Sequence, residues 1–136
     1  MMYATRREQF AASHRLYNPA WSDERNDSVF GKCNNPAGHG HNYVLEVTVA
    51  GEIDPDTGYV VDLKLLKDVI RERVMDVMDH KNLNVDVDCL AGVIPTAENI
   101  ARAIWRQLEP AIPAGRLHRI VLRETENNTV EYRGEE

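Results

Sequence analysis

Three histidines stand at positions from which strand pairing would bring them together. His39 and His41 are separated by one residue, at the point where a predicted strand, residues 41–53, begins. Alternate side chains of a strand share a face, so both imidazoles point the same way if the strand starts at His39. His14 ends an earlier predicted strand, residues 3–14, and antiparallel pairing would place that end beside the start of the second strand. Three neutral imidazoles without a fourth protein ligand are typical of an open, catalytic zinc site, whereas the alternative interpretation is three turn or surface histidines.

A second set of residues has the chemistry to move protons. Cys33 lies six residues before His39, and a thiol becomes a base or nucleophile when neighbouring cations such as Lys32 or a metal lower its pKa. Asp79 and His80 close the first predicted helix, where a carboxylate can orient an imidazole. The alternative interpretations are that Cys33 is an inert small residue and that Asp79 and His80 cap the C-terminus of the helix, where a histidine suits the helix dipole.

Glu124 is a carboxylate on a strand face that otherwise carries core residues. It shares parity with Ile120 and Leu122 in a predicted strand, residues 117–124. A buried carboxylate is costly unless it is paired, and a ligand with two adjacent N–H donors, such as an aminopyrimidinone ring, would pair with it in a bidentate way. The alternative is that Glu124 lies at the end of the strand, where parity no longer requires burial.

The elements that must position these residues are strands at both ends of the chain and two helices between them. The predicted strands are residues 3–14, 41–53, 117–124 and 129–133. Residues 15–40 are predicted to be a long polar loop, and such loops are usually functional or disordered. The order ββααββ predicts an α+β fold with antiparallel hairpins at both ends.

The two helices follow from apolar residues spaced three and four apart. Asp62 is a plausible N-cap for the first helix, which is predicted to run to about Met78. Pro95 and Thr96 open the second helix, with Pro110 near its end. Both helices therefore have one apolar stripe available for packing on the sheet.

Length, charge and cysteine content limit the classes to which this protein can belong. The 136 residues suit one domain, residues 1–136. A net charge of −6 argues against a broad nucleic-acid-binding face, and no segment has the apolar length of a membrane helix or of a secretory signal. With only Cys33 and Cys89, a reduced cytoplasmic protein with two free thiols is favoured over a single disulfide.

Six motifs then carry a resemblance that runs over almost the whole chain. They are "FAASHRL", "FGKCNNPAGHGHNY", "GEIDPDTGYVVDLKLLK", "MDHKNL", "PTAENIA" and "ETENNTVEYRGE". In this order they resemble the 6-pyruvoyl-tetrahydropterin synthase and 6-carboxy-tetrahydropterin synthase family, and the pyruvoyl type most closely. The resemblance implies the tunnelling fold: a four-stranded antiparallel sheet with two helices on one face, closed by three subunits into a barrel and stacked as a dimer of trimers, a homohexamer.

The resemblance also assigns roles by motif. It implies His14, His39 and His41 as zinc ligands, Cys33 as the catalytic thiol, and Asp79 and His80 as its proton-relay partners. Glu124 is implied to anchor the pterin ring, with Thr96 and Glu98 in a second pterin-contacting segment. Cys89 and His118 receive no role, and Lys32 and Arg15 are candidates for holding a triphosphate.

The implied reaction is zinc-dependent elimination of triphosphate from 7,8-dihydroneopterin triphosphate, with internal redox and tautomerisation of the side chain. The rival within the family is 6-carboxy-5,6,7,8-tetrahydropterin synthase of the queuosine pathway, in which the cysteine lies closer to the His-Gly-His motif. Here five residues separate Cys33 from His39, which favours the pyruvoyl type. A non-catalytic zinc- or pterin-binding oligomer is an alternative of another class.

Overall fold

The computed structural model describes residues 1–135, so Glu136, the last residue of the predicted domain, lies outside the described range. The strands and helices are, in chain order, β1 (Met2–His14), α1 (Asp23–Phe30), β2 (His39–Gly51), α2 (Leu63–Ile70), α3 (Asp76–Met78), β3 (Lys81–Asn82), α4 (Ala97–Leu108), β4 (Arg116–Arg123) and β5 (Thr129–Tyr132). The α+β class is confirmed, and the four predicted strands are present.

The sheet is built on the long antiparallel pair of β1 and β2, each 13 residues long. β4 pairs antiparallel with the other side of β2, and β5 pairs antiparallel with β4. Apolar side chains alternate along β2 and are fully buried at Tyr43, Leu45, Val47 and Val49. This period of two fixes which face of the sheet meets the helices.

The prediction of four purely antiparallel strands was wrong, because the sheet has five strands in the order β3-β1-β2-β4-β5. β3 pairs parallel with β1, joining Ala12 to Lys81 and Ser13 to Asn82. His80 precedes it with a φ of 61°, a left-handed backbone that turns the chain sharply. The sharp turn lays the residues after α3 along the end of β1.

The two predicted helices pack on the face of the sheet that carries the core. α2 begins at its Asp62 N-cap and continues through one π turn (Arg71–Met75) into α3, which ends at Met78 as predicted. The N-cap of α4 is Thr96. Fully buried side chains of these helices join those of the sheet in one hydrophobic cluster: Leu66, Ile70, Val74, Met78, Ile100, Ile104 and Leu108.

The stretch predicted as a long loop, residues 15–40, contains a helix. α1 begins after Ser22, whose side chain accepts a hydrogen bond from the Arg25 backbone N–H, and Asp23 and Glu24 occupy its first turn. A 3₁₀ turn, Gly31–Asn34, follows directly. The Ser-Asp-Glu start signal is in the sequence, but no apolar stripe accompanies it, since only Asn26 of α1 is buried.

Within residues 1–135, none of the helices combines the length and apolar character needed to cross a bilayer.

Candidate metal centre and catalytic site

Strand pairing brings the three histidines together as their spacing predicts. In the β1–β2 register His14 lies opposite His39, and Ala12 lies opposite His41. All three imidazoles stand on the face of the sheet that carries the core, at the end where β1 finishes and β2 begins. Their proximity is therefore a direct consequence of antiparallel register and alternation.

The imidazoles form a compact triangle. Ring centroids are 4.6 Å apart for His14 and His39, 5.1 Å for His14 and His41, and 4.9 Å for His39 and His41. One nitrogen from each ring can be chosen so that all three lie within 4.8 Å of one another. The predicted convergence of these side chains is confirmed.

His14 is the most constrained member of the triad. It is 1% exposed, and its Nδ1 lies 2.7 Å from the Pro95 carbonyl oxygen. A carbonyl oxygen only accepts, so Nδ1 carries the proton and donates, and the neutral ring presents a lone pair at Nε2. That Nε2 lies 3.1 Å from His39 Nε2. The bond to Pro95 thus fixes the tautomer a metal ligand needs.

Burial favours the neutral form of two triad members, His14 and His41. It lowers the pKa of His14 below the ordinary 6.5, and the opposing effect of the bond to Pro95 is smaller. Burial also lowers the pKa of His41, outweighing the attraction of the Glu124 carboxylate. Neutral imidazole is the form that ligates a metal.

The buried Nε2 of His41 has no hydrogen-bond partner in the described chain; His39 Nδ1 has none either, but it is not the nitrogen that faces His14. Buried polar atoms are rarely left unpaired. A tetrahedral zinc with Zn–N bonds of about 2.0–2.1 Å would place ligand nitrogens about 3.3 Å apart, which is close to the 3.1 Å between His14 Nε2 and His39 Nε2. The donor set therefore fits a zinc ion held by three imidazoles.

Glu124 lies beside the triad, a proximity that its strand parity alone did not specify. It directly follows β4 and is half-buried, and its backbone N–H donates to the Asn128 carbonyl at 3.1 Å. Its carboxylate acts to raise the pKa of His14, His41 and Tyr43, so the charge is close to all three groups. The site therefore combines a metal-ligand set and an acceptor for N–H donors.

Tyr43 belongs to this site, although its position in the sequence indicates no more than a place on the apolar face of β2. It is fully buried, stacks on Phe10 with a centroid distance of 4.9 Å, and places its hydroxyl 3.4 Å from His14 Nδ1. Burial raises the pKa of Tyr43, so its hydroxyl stays protonated. Its parity with His39 and His41 was the signal that could have found it.

Asp79 and His80 form a direct pair beyond the end of α3. His80 Nδ1 lies 2.9 Å from Asp79 Oδ2, while Asp79 Oδ1 accepts from the Ala11 backbone N–H at 2.9 Å. The His80 N–H in turn donates to the Ala11 carbonyl at 2.6 Å. The bond from Ala11 is the largest cause that lowers the pKa of Asp79. Asp79 is therefore anchored to β1 as well as to its neighbour, which a simple helix cap would not require.

A cleft of about 550 Å³ borders one member of each group. Its lining includes His41 of the triad and His80 of the pair, together with Ser13 and Gly40. The side chain of His80 is 83% exposed, so the ring is free to meet a ligand.

Cys33 comes from a different element, the 3₁₀ turn after α1. It is a half-buried free thiol, and its carbonyl accepts from the Leu16 backbone N–H at 2.8 Å. Among residues 1–135, no side-chain hydrogen bond joins Cys33 to Asp79 or His80. The observed backbone hydrogen bond therefore joins Cys33 to the segment that follows His14 at the end of β1, and not to the Asp79–His80 pair.

Thr96 and Glu98 lie at the start of α4. The Thr96 hydroxyl accepts from the Asn99 backbone N–H at 3.2 Å and caps the helix, while Glu98 is exposed in the first turn. The preceding residue, Pro95, supplies the carbonyl that binds His14. This segment therefore adjoins the triad through its backbone, a contact that no side-chain motif could have indicated.

Comparison with known proteins places the chain in a family. Residues 3–135 match the family model described as 6-pyruvoyl tetrahydropterin synthase. The chain belongs to this family. It is 53% identical over 131 residues to the 6-pyruvoyl tetrahydrobiopterin synthase of Homo sapiens, covering 96% of this chain and 90% of the human one. The Dictyostelium discoideum protein of the same name is 48% identical, covering 96% and 95%.

A solved structure extends the family match to three dimensions. The Caenorhabditis elegans 6-pyruvoyl tetrahydropterin synthase superposes with a TM-score of 0.93 at 38% identity, covering 98% of this chain and 96% of that one. The overall architecture of this chain therefore belongs to a fold that this family adopts.

Proposed function

We propose that this chain catalyses the 6-pyruvoyl-tetrahydropterin synthase reaction: zinc-dependent elimination of triphosphate from 7,8-dihydroneopterin triphosphate, with redox and tautomerisation confined to the substrate. The observation that carries the proposal is the convergence of His14, His39 and His41 beside Glu124. A metal-ligand set next to a carboxylate suits a substrate with hydroxyls on one arm and an aminopyrimidinone ring on the other.

The metal would be held by His14, His39 and His41, since the Nε2 atoms of His14 and His39 face each other at 3.1 Å and the buried Nε2 of His41 has no hydrogen-bond partner in the described chain. Zinc supplies Lewis acidity to a substrate oxygen and so acidifies neighbouring C–H bonds. The chain itself contributes neutral imidazoles, a tautomer fixed through Pro95, and walls that exclude water on the core side of His14. Residues 1–136 act as one domain in this proposal.

Proton transfer is assigned to Cys33 and to the Asp79–His80 pair. Cys33 would accept a proton from a side-chain carbon as the C–O bond to triphosphate breaks, and His80 would return one to the ring. Asp79, anchored by the Ala11 N–H, holds the His80 ring and stabilises its protonated form. Each such general acid–base step contributes about 10²–10⁴-fold to a rate.

Ring recognition is assigned to Glu124, with Thr96 and Glu98 as a second contacting segment. Two adjacent N–H donors of the pterin would satisfy the Glu124 carboxylate in a bidentate way. Thr96 and Glu98 adjoin the site through the backbone of Pro95. Thr96 already caps α4 with its hydroxyl, so its contact with the ring would add to a structural role.

The nearest alternative is 6-carboxy-5,6,7,8-tetrahydropterin synthase, which uses the same substrate. The spacing of Cys33 and His39 and the high identity to named pyruvoyl synthases favour the pyruvoyl product. A non-catalytic zinc- or pterin-binding oligomer is the other alternative. The anchored Asp79–His80 pair argues against it, because binding alone needs no group placed to exchange protons.

A homo-oligomer, a dimer of trimers, is the assembly we propose. β5 pairs only with β4, and the outer edge of β1 pairs with β3 only at Ala12 and Ser13, so both sheet edges are available among the described residues. Exposed edges are normally covered or paired, and barrel closure by copies of the chain would do so. We also propose a cytoplasmic location, in keeping with the two free thiols.

Incubation of the purified chain with zinc and 7,8-dihydroneopterin triphosphate tests the proposal, with products identified by mass spectrometry. The expected result is metal-dependent release of inorganic triphosphate with an unshortened, pyruvoyl-bearing tetrahydropterin. A carboxy product would favour the rival enzyme. Binding of the substrate without release of triphosphate would favour the non-catalytic module.

A further inference from the structure

The Arg15 side chain is directed at the loop that carries Cys33, although Arg15 directly follows His14. Its Nε donates to the Asn34 carbonyl at 2.9 Å and to Asn34 Oδ1 at 3.2 Å, and its Nη2 donates to Asn34 Oδ1 at 2.9 Å. The guanidinium also lies 4.0 Å from the centroid of the Tyr17 ring. These contacts occupy the group that sequence reasoning offered as a triphosphate ligand.

The Asn34 side chain is buried and is hydrogen-bonded at both ends of its amide. Asn34 directly follows Cys33 and is 5% exposed. Its Nδ2 donates to Asp27 Oδ1 in α1 at 2.6 Å, while its Oδ1 accepts from Arg15. Both ends of the amide are therefore paired, which fixes its orientation. The 3₁₀ turn that carries Cys33 is thus held between β1 and α1.

The Arg15 backbone is fixed from the opposite side by Asn84. The Arg15 N–H donates to Asn84 Oδ1 at 2.7 Å, and Asn84 Nδ2 donates to the Arg15 carbonyl at 2.9 Å. The next residue, Leu16, donates its N–H to the Cys33 carbonyl at 2.8 Å. A continuous chain of hydrogen bonds therefore runs from the segment after β3, through the end of β1, to the Cys33 turn.

We propose that Arg15 and Asn34 are positioning residues, which hold the Cys33 turn at a set place relative to His14. The inference rests on the proposed function, in which Cys33 moves a proton. A displacement of about 1 Å at a reacting group can cost about 10²-fold in rate. The planar guanidinium reaches two oxygens of Asn34 at once, whereas a lysine ammonium at the same position keeps the charge but not the fork.

The experiment compares Arg15→Lys, Arg15→Gln, Asn34→Ala and the double variant with the wild-type chain. Arg25→Gln is the matched control, since Arg25 is an arginine of α1 whose guanidinium lies over Trp21, 3.9 Å from its ring centroid, and not on Asn34. The readouts are kcat, KM for dihydroneopterin triphosphate, zinc content, and hydrogen exchange at the Leu16 amide.

Arg15→Lys and Arg15→Gln should both lower kcat about 10- to 100-fold while KM stays within about twofold and zinc content is unchanged. The Leu16 amide should exchange faster in both variants. Asn34→Ala should also lower kcat, and the double variant should lose less than the product of the two single losses, because the bonds from the guanidinium to Asn34 Oδ1 are already absent in each single variant. Arg25→Gln should behave as wild type in every readout.

Three results would overturn the proposal: wild-type kcat in Arg15→Lys, a raised KM with kcat unchanged, or additive losses in the double variant. A raised KM with unchanged kcat would indicate instead that the Arg15 guanidinium binds the substrate. If the wild-type chain does not convert the substrate, the proposed function fails. In that case Leu16 exchange still decides the positioning role, since faster exchange in the Arg15 variants than in Arg25→Gln supports it and equal exchange contradicts it.

Discussion

The Nε2 atoms of His14 and His39 lie 3.1 Å apart, although the two residues are 25 positions apart in the chain. The Pro95 carbonyl accepts a hydrogen bond from His14 Nδ1, so the lone pair on His14 Nε2 faces His39. A cation placed between such lone pairs is stabilised by both.

His39→Ala and His41→Ala should each weaken zinc binding by more than about 100-fold, because each removes one of three ligands, and losing even a residue that only hydrogen-bonds to a ligand costs about 10- to 100-fold. Zinc content after dialysis, measured by atomic emission, checks this. His118→Ala is the control, since His118 packs against Tyr3 in a different part of the sheet. Full zinc retention in both ligand variants would refute the ligand assignment.

Zinc binding should weaken as pH falls below 6.5. The pKa values of His14 and His41 are lowered by burial, so both rings are neutral at pH 7 and become protonated only in more acidic solution. These two residues should then release no protons when zinc binds at pH 7. Calorimetry in two buffers of different ionisation enthalpy measures the proton count, and release of two or more protons at pH 7 would contradict the neutral state.

Cys33→Ala should keep zinc but lose about 10²–10⁴-fold in kcat, the usual size of a general-base contribution. The cysteine stands outside the imidazole triangle, in the turn that follows α1. Steady-state turnover with parallel zinc analysis tests both halves of the statement. Cys89→Ala serves as the thiol control, and unchanged turnover in Cys33→Ala would remove that residue from the mechanism.

Glu124→Gln should weaken pterin binding about 10- to 100-fold, because a hydrogen bond to a charged group contributes about 1.5–3 kcal/mol. Zinc content should be unchanged, since the three imidazoles remain. Fluorescence titration with a pterin measures the affinity. The matched control is Glu126→Gln, which changes an exposed carboxylate in the turn between β4 and β5. Equal affinity in Glu124→Gln and the control would return Glu124 to a purely structural position.

Asp79→Asn should destabilise the fold by roughly 0.5–1 kcal/mol at pH 7, since the carboxylate is partly exposed and Asn still accepts from Ala11. The pKa of Asp79 is lowered in the folded state from 3.8. Its contribution to stability is therefore present above pH 3.8 and is lost as pH falls through the folded-state pKa. Urea unfolding at several pH values tests this, and a difference that persists unchanged in strong acid would contradict the assignment.

The sequence by itself determined which side chains share a face. Strand alternation is a property of the covalent chain, so His39, His41 and Tyr43 had to point one way, and Glu124 had to follow the core parity of β4. The helix periods and the Asp62 and Thr96 caps are equally local, and the helix starts are where the sequence predicted them. The helix α1 had a start signal, but without an apolar stripe it could not be recognised.

Only the tertiary structure decided which distant segments meet. Three such contacts involve backbone groups. They are the parallel pairing of β3 with β1, the hydrogen bond from His14 to the Pro95 carbonyl, and the hydrogen bond from Arg15 to the Asn34 carbonyl. Backbone groups are the same at every position, so the sequence holds no pattern that names their partners. Packing of the whole core determines those partners, because it places the ends of separate helices and strands side by side.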